Sequence, residues 1–239
     1  MKLDVYFTPL GLTVGDLAGR GVVVIDVLRA TTTIVCALAN GARAVVPAAS
    51  SEDAVKMTAN LERDGFLLAG ERKYLAIPGF SLGNSPREMT ADMVGGKTVY
   101  LTTTNGTPAL VAAQGADPIL VGAAVNFSAV AGRARDVLRD RGDLVIICAG
   151  REKQFALEDA YAAGRLVKAV KKGTRKLVLN DSAHVALGLT QRYKHWLDAF
   201  TKCEAGRQLE ELALAEDVTF CAEADRFTIV PTYSERQIT

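Results

Sequence analysis

The sequence predicts a layered α/β/α fold with a mostly parallel or mixed sheet. Two patterns carry that prediction. Short runs of Val, Ile, Leu and Tyr recur along the chain, and the clearest, Gly21 to Asp26 (GVVVID), is apolar at every position from Val22 to Ile25. A central parallel strand covered on both faces requires that, whereas a half-exposed strand would alternate. Ala-rich segments of helical length separate these runs, and strand–helix alternation builds a parallel sheet flanked by helices.

Taken in order, Leu3 to Phe7 reads as the first strand and Gly21 to Asp26 as the second, followed by a helix over Ala30 to Ala39. Arg43 to Pro47 is a strand. Ser51 to Asp64 is a helix whose Ser51-Glu52-Asp53 start supplies a cap and places acids where the helix dipole favours them. Phe66 to Ala69 and Lys97 to Leu101 are strands, Pro108 to Gln114 a helix, and Ile119 to Gly122 and Leu144 to Cys148 strands again. The second half is more helical, with Ala156 to Val170, Leu177 to Tyr193 and Gly206 to Ala215, and a last strand near Arg226 to Pro231. The polar stretch 132–143 reads as an amphipathic helix. The chain is expected to form a single domain over residues 1–239, with a two-lobed arrangement broken near 132–143 as the alternative.

Composition excludes several classes. Lys and Arg number 28 against 27 acids, for a formal charge of +1, which argues against a nucleic-acid or membrane-surface partner. No apolar run approaches a membrane span. The start is too weakly apolar and too early acidic for a secretory signal, so cytoplasm is the expected location. Cys36, Cys148, Cys203 and Cys221 are scattered without a CxxC pair and read as reduced, buried thiols. Neither GxxxxGK[ST], GxGxxG nor GxSxG occurs. His184 and His195 are too few for a histidine metal cluster. His195, beside Trp196, reads as structural, and His184, after Asp181 and Ser182, is the one of the two that could face a cleft.

In open parallel sheets ligands bind beyond the carboxyl ends of strands, and four such junctions carry unusual chemistry. Asp26 closes a buried strand, with Arg29, Thr31, Thr32 and Thr33 at the opening of a helix. Such a helix start suits an anion, Arg29 can clamp it, and Asp26 can hold a divalent cation or attack phosphorus. The plainer reading is a capped helix with an Asp26–Arg29 pair. Thr104, Asn105, Gly106 and Thr107 form a second Thr-rich corner, where anion binding is the better reading. At the third, Glu71 offers a metal ligand or general acid/base and Arg72 a site for a second anionic group, unless the two form a surface ion pair. Asn84 and Ser85 follow in a loop. At the fourth, after Ala149-Gly150-Arg151, Glu158 and Asp159 could hold Mg²⁺, although a solvated helix start is the reading that pattern alone favours. Together these junctions point to a small anionic phosphate ester as the ligand.

The segments DVLRATTTI, AGER, GFSLGNSP, TTTNGT and FALEDAYAAG, in this order and spacing, resemble the 2-phosphosulfolactate phosphatase (ComB-like) family. The similarity runs from the Asp26 strand to Val230-Pro231 and includes Asp217, Cys221 and Asp225. The resemblance implies an α/β fold and Mg²⁺-dependent hydrolysis of 2-phosphosulfolactate to sulfolactate and phosphate, on the coenzyme M pathway. Carried over, its motif positions are Asp26, Arg29, Thr31, Thr32, Thr33, Glu71, Arg72, Asn84, Ser85, Asn105, Gly106, Thr107, Glu158 and Asp159. Asp26, Glu71, Glu158 and Asp159 are then the expected metal ligands, with Asp26, Arg29, Glu71 and Arg72 as catalytic groups. The chain departs from the family at Ser81, where Asp is common. Rival readings are a phosphatase of another phosphorylated hydroxy acid and a non-catalytic binder of an anionic metabolite. A homo-oligomer is compatible with either.

Overall fold

The computed structural model describes residues 1–174 and 176–239. Its strands are β1 (Lys2–Tyr6), β2 (Gly21–Ile25), β3 (Ala44–Pro47), β4 (Phe66–Arg72), β5 (Leu75–Ala76), β6 (Thr98–Thr102), β7 (Ile119–Gly122), β8 (Asp143–Cys148), β9 (Val178–Leu179), β10 (Thr232–Ser234) and β11 (Gln237–Ile238). They form one mixed sheet in the order β5-β4-β6-β3-β11-β10-β7-β2-β8-β1-β9. Two parallel blocks, β4-β6-β3 and β7-β2-β8-β1-β9, are joined by the β10–β11 hairpin, which pairs antiparallel with β3 on one side and β7 on the other. The last residues of the chain therefore hold the two halves of the sheet together.

Period-two geometry puts β2 between two cores. Val23 and Ile25 pack on one face with Leu3, Leu144, Ile146 and Tyr161, beneath the helices Phe127–Arg141 and Leu157–Lys171. Val22 and Val24 pack on the other with Ile34, Val45, Val99 and Leu110, beneath Ala30–Ala39 and Gly106–Ala112. Every residue of β2 is buried, which is why its sequence does not alternate. A Cβ at Gly164 would stand 1.9 Å from the Ala186 carbonyl oxygen, so only glycine lets the helix Asp181–Arg192 approach Leu157–Lys171 so closely.

The layered α/β/α expectation holds, and the stretch 132–143 lies mostly inside the helix Phe127–Arg141. Several boundaries differ for identifiable reasons. Ser50, not Ser51, caps the helix Ser51–Thr58, its hydroxyl accepting the Asp53 N–H at 3.1 Å. That helix stops short of Asp64, at Thr58. The span 177–193 opens as β9 and becomes helix only at Asp181, because the Asn180 amide is stitched to both backbone groups of Val5 (3.0 and 2.9 Å) while capping Ala183. The span 206–215 falls in two helices, Glu204–Glu211 and Ala215–Cys221, interrupted at Ala213, whose φ is +59°. Residues 226–231 form no strand: Phe227 N–H and the Ile229 carbonyl are tied to Val125 and Asn126, and the strand begins at Thr232. Among the described residues no helix is long and apolar enough to cross a membrane, and the four cysteines are buried and free.

Candidate active site

A cleft of about 460 Å³, open to solvent, lies just beyond the ends of β2, β4, β6 and β8. Asp26, Arg29, Glu71, Asn84, Thr104 and Asn105 line it, joined by Lys73, Tyr74, Arg151 and Glu152. Residues from all four strand-end junctions thus meet in one place.

Asp26 directly follows β2 and is buried. Its Oδ1 accepts the Ala30 N–H at 3.2 Å, which leaves Oδ2 against Gly106. A Cβ on Gly106 would stand 2.7 Å from Oδ2 and 2.4 Å from the Ala30 Cβ, so the missing side chain lets the second Thr-rich corner close on the first. The Asp26 carboxyl is pushed up to about 7, first by burial and then by repulsion from Glu71 and Glu158, against the pull of the Ala30 N–H and of Arg29. Glu71 is also buried, both of its oxygens held: Oε1 accepts the Thr104 N–H at 2.7 Å and Oε2 the Tyr74 N–H at 2.9 Å. Extension of β4 to Arg72 puts Glu71 inside the strand rather than after it, and alternation sends its neighbour the other way.

Arg29 does not pair with Asp26. It donates to Asp217 Oδ2 at 2.6 Å and to the Tyr74 carbonyl at 2.7 Å, while Ser85 Oγ donates to Asp217 Oδ1 at 2.7 Å. Arg29 therefore reaches the cleft in a fixed pose with its charge balanced from behind.

The structure separates several residues that the motifs grouped together. Thr31, Thr32 and Thr33 are buried outside the cleft wall, and their hydroxyls donate to the carbonyls of Asp26, Val27 and Asn84. They shape the turn instead of meeting an anion. Thr107 is occupied with Thr103 in reciprocal hydroxyl–amide bonds of 3.0 and 3.1 Å. Arg72 leaves the cleft and donates to the Glu71 carbonyl and to Thr102 Oγ1. Ser81 is exposed and outside the wall. His184 is exposed away from the cleft, and His195 caps the helix Trp196–Lys202.

Glu158 and Asp159 are buried, contrary to the solvated helix start that pattern favours. Asp159 accepts the N–H groups of Val27 and Gly150 (2.9 and 3.1 Å), bracing the Asp26 turn from behind. Burial raises both carboxyls, and for Asp159 the charges of Asp26 and Glu158 add to it. Glu158 opens into a neighbouring hollow with Cys203 and Arg207 rather than into the cleft.

A metal can be tested against this arrangement. Among the described residues no three His, Cys, Asp or Glu side chains converge as chelating donors. The cleft wall nevertheless presents Asp26, Glu71 and the side-chain amide oxygen Oδ1 of Asn84, which is buried without a hydrogen-bond partner. Hard oxygen donors including one or two carboxylates, completed by water and phosphate, are what Mg²⁺ accepts. Asp26 and Glu71 offer such donors from the cleft wall, whereas Glu158 faces the neighbouring hollow and Asp159 braces the Asp26 turn.

Sequence reasoning missed Lys73 and Tyr74 entirely and gave no role to Asp217 or Arg151. Asp217 carries no local signal, since it is an ordinary acid in the first turn of a helix.

The profile of the family described as 2-phosphosulpholactate phosphatase matches residues 7–236. A protein of Symbiobacterium thermophilum named "Probable 2-phosphosulfolactate phosphatase" is 43% identical over 224 residues, covering 93% of this chain and 95% of its own. One of Caldanaerobacter subterraneus with the same name is 41% identical over 232 residues (97% and 95%), and one of Thermotoga maritima 37% over 213 residues (89% and 88%). The chain belongs to the 2-phosphosulfolactate phosphatase family of phosphoric monoester hydrolases.

Proposed function

We propose that this protein hydrolyses 2-phosphosulfolactate to 3-sulfolactate and phosphate with Mg²⁺ bound, in the cytoplasm, where its free buried thiols stay reduced. On this reading it serves the coenzyme M pathway. The observation that carries the proposal is the meeting of two buried carboxylates, Asp26 and Glu71, with Arg29 in one cleft. Two carboxylates would repel a phosphate dianion unless a cation lay between them. Asp26 and Glu71 are the residues that would hold it, and when bound it supplies neutralisation of the phosphate charge.

The chain's own groups do the rest. Arg29, held by Asp217 and the Tyr74 carbonyl, presents its remaining N–H groups to the phosphate oxygens. A water oxygen bonds to phosphorus as the ester P–O bond breaks. The proton lost by that water passes to Asp26 Oδ2, the oxygen that accepts no N–H, and the departing alkoxide takes a proton from solvent at the mouth. Direct attack by water is preferred to a phosphoaspartate because Leu28, two residues on, lines the cleft where a second acid would be needed.

Phosphate release from a panel of small phosphorylated acids, with Mg²⁺ and with EDTA, tests this reading. Mg²⁺-dependent release from 2-phosphosulfolactate above the others is expected. Preference for another acid would move the substrate, and ligand binding without release from any would make the protein a sensor.

A further inference from the structure

Resting on the phosphatase reading above, we propose that Lys73, on a hairpin tip, and Arg151, at the base of a second tight turn, form at the mouth of the cleft the subsite for the acidic groups that the substrate carries besides its phosphate. β4 and β5 pair through Glu71 with Ala76 and Arg72 with Leu75, leaving Lys73 and Tyr74 as a two-residue turn with φ of 51° and 70°. Arg151 and Gln154 bridge in the same way, leaving Glu152 and Lys153 at 49° and 66°. Such turns ordinarily use Gly, Asn or Asp. Here neither tip does, and each is tethered to the site: Tyr74 through Arg29 and Glu71, and Glu152 through its N–H to Asn105 Oδ1 at 2.9 Å. Tyr74 and Arg151 both line the cleft, so the two turns border the same opening.

The charges at the mouth are unequally satisfied. Arg29 is balanced by the buried Asp217. Lys73 is in no ion pair or side-chain hydrogen bond among the described residues, and the ion pair of Arg151 is with the exposed Glu204, at 2.6 Å. A phosphate gripped by Arg29 in the interior would leave a sulfonate or carboxylate two bonds or more away facing these cations. Spacing along the chain assigned that task to Arg72, which the strand turns toward Thr102.

The test uses the full chain with Mg²⁺, Lys73→Met, Arg151→Met and the conservative Lys73→Arg. The readout is the ratio of kcat/KM for 2-phosphosulfolactate to that for p-nitrophenyl phosphate, which has no second acidic group. Each Met variant is expected to lower that ratio about tenfold or more, through KM rather than kcat, with Lys73→Arg restoring most of it. An unchanged ratio in both Met variants overturns the subsite. Should the wild type release no phosphate from 2-phosphosulfolactate, the phosphatase reading fails, and calorimetric titration with 3-sulfolactate decides the subsite separately. Weaker binding by Lys73→Met than by wild type supports it; equal binding overturns it.

Discussion

Arg29 Nη1 donates to Asp217 Oδ2 at 2.6 Å across 188 residues of sequence, with the side chains only 2% and 1% exposed. Around that pair the Tyr74 carbonyl and the Ser85 hydroxyl complete a knot that joins the turn after β2, the β4–β5 hairpin and the helix Ala215–Cys221. Removing one partner of a buried ion pair strands the other without compensation. Asp217→Ala is expected to cost about 3–5 kcal/mol of stability, measured by urea unfolding. In a double-mutant cycle, Arg29→Met with Asp217→Ala should cost clearly less than the sum of the single changes.

Asp26→Asn is expected to reduce phosphate release by roughly a thousandfold or more, since it removes both a ligand for the cation and the proton acceptor. Steady-state rates at matched Mg²⁺ check this.

The same variant tests the electrostatics of the metal-free protein. The Asp26 carboxyl is raised from 3.8 to about 7. Between those values the folded protein keeps a proton that the unfolded chain has lost, so stability falls as pH rises through the window. The melting temperature of Asp26→Asn minus that of wild type, in EDTA, should therefore increase from pH 4 to pH 8. A flat difference would contradict the burial-driven shift.

Gly106→Ala should impair activity beyond its effect on stability, because the new Cβ would meet Asp26 Oδ2 at 2.7 Å and the Ala30 Cβ at 2.4 Å. Something on the reacting side of Asp26 must shift. Comparing kcat at a temperature where circular dichroism shows the variant folded separates the two effects.

Glu71→Gln keeps shape but gives one of two N–H donors, Thr104 or Tyr74, another donor to face. A cost of about 1–3 kcal/mol in thermal or urea unfolding is expected. Arg72→Ala, by contrast, should change KM less than twofold, as its guanidinium meets Thr102 rather than the cleft.

Local pattern was sufficient for the elements that depend on local physics. The all-apolar run at Val22 to Val24 announced a strand buried on both faces, and Ala30–Ala39 lies where its Ala-rich run begins and ends. Asp26 and Asn105 were readable as chemistry because position after a strand is a property of the chain itself; Glu71 was readable too, although β4 runs on past it. Arg29 was readable as a candidate, but not its partner.

What the sequence by itself determined is the α/β layering, the approximate elements and a set of strand-end groups suited to a phosphate ester. Tertiary structure alone decided which of them share a cleft. It turned Arg72 out and brought Lys73 and Arg151 in. It spent the Thr31, Thr32 and Thr33 hydroxyls on carbonyls and joined Arg29 to Asp217. The reason is that side-chain direction follows from strand register and hairpin geometry, and ion-pair partners from packing between segments far apart in sequence. Neither is encoded in the spacing of a motif.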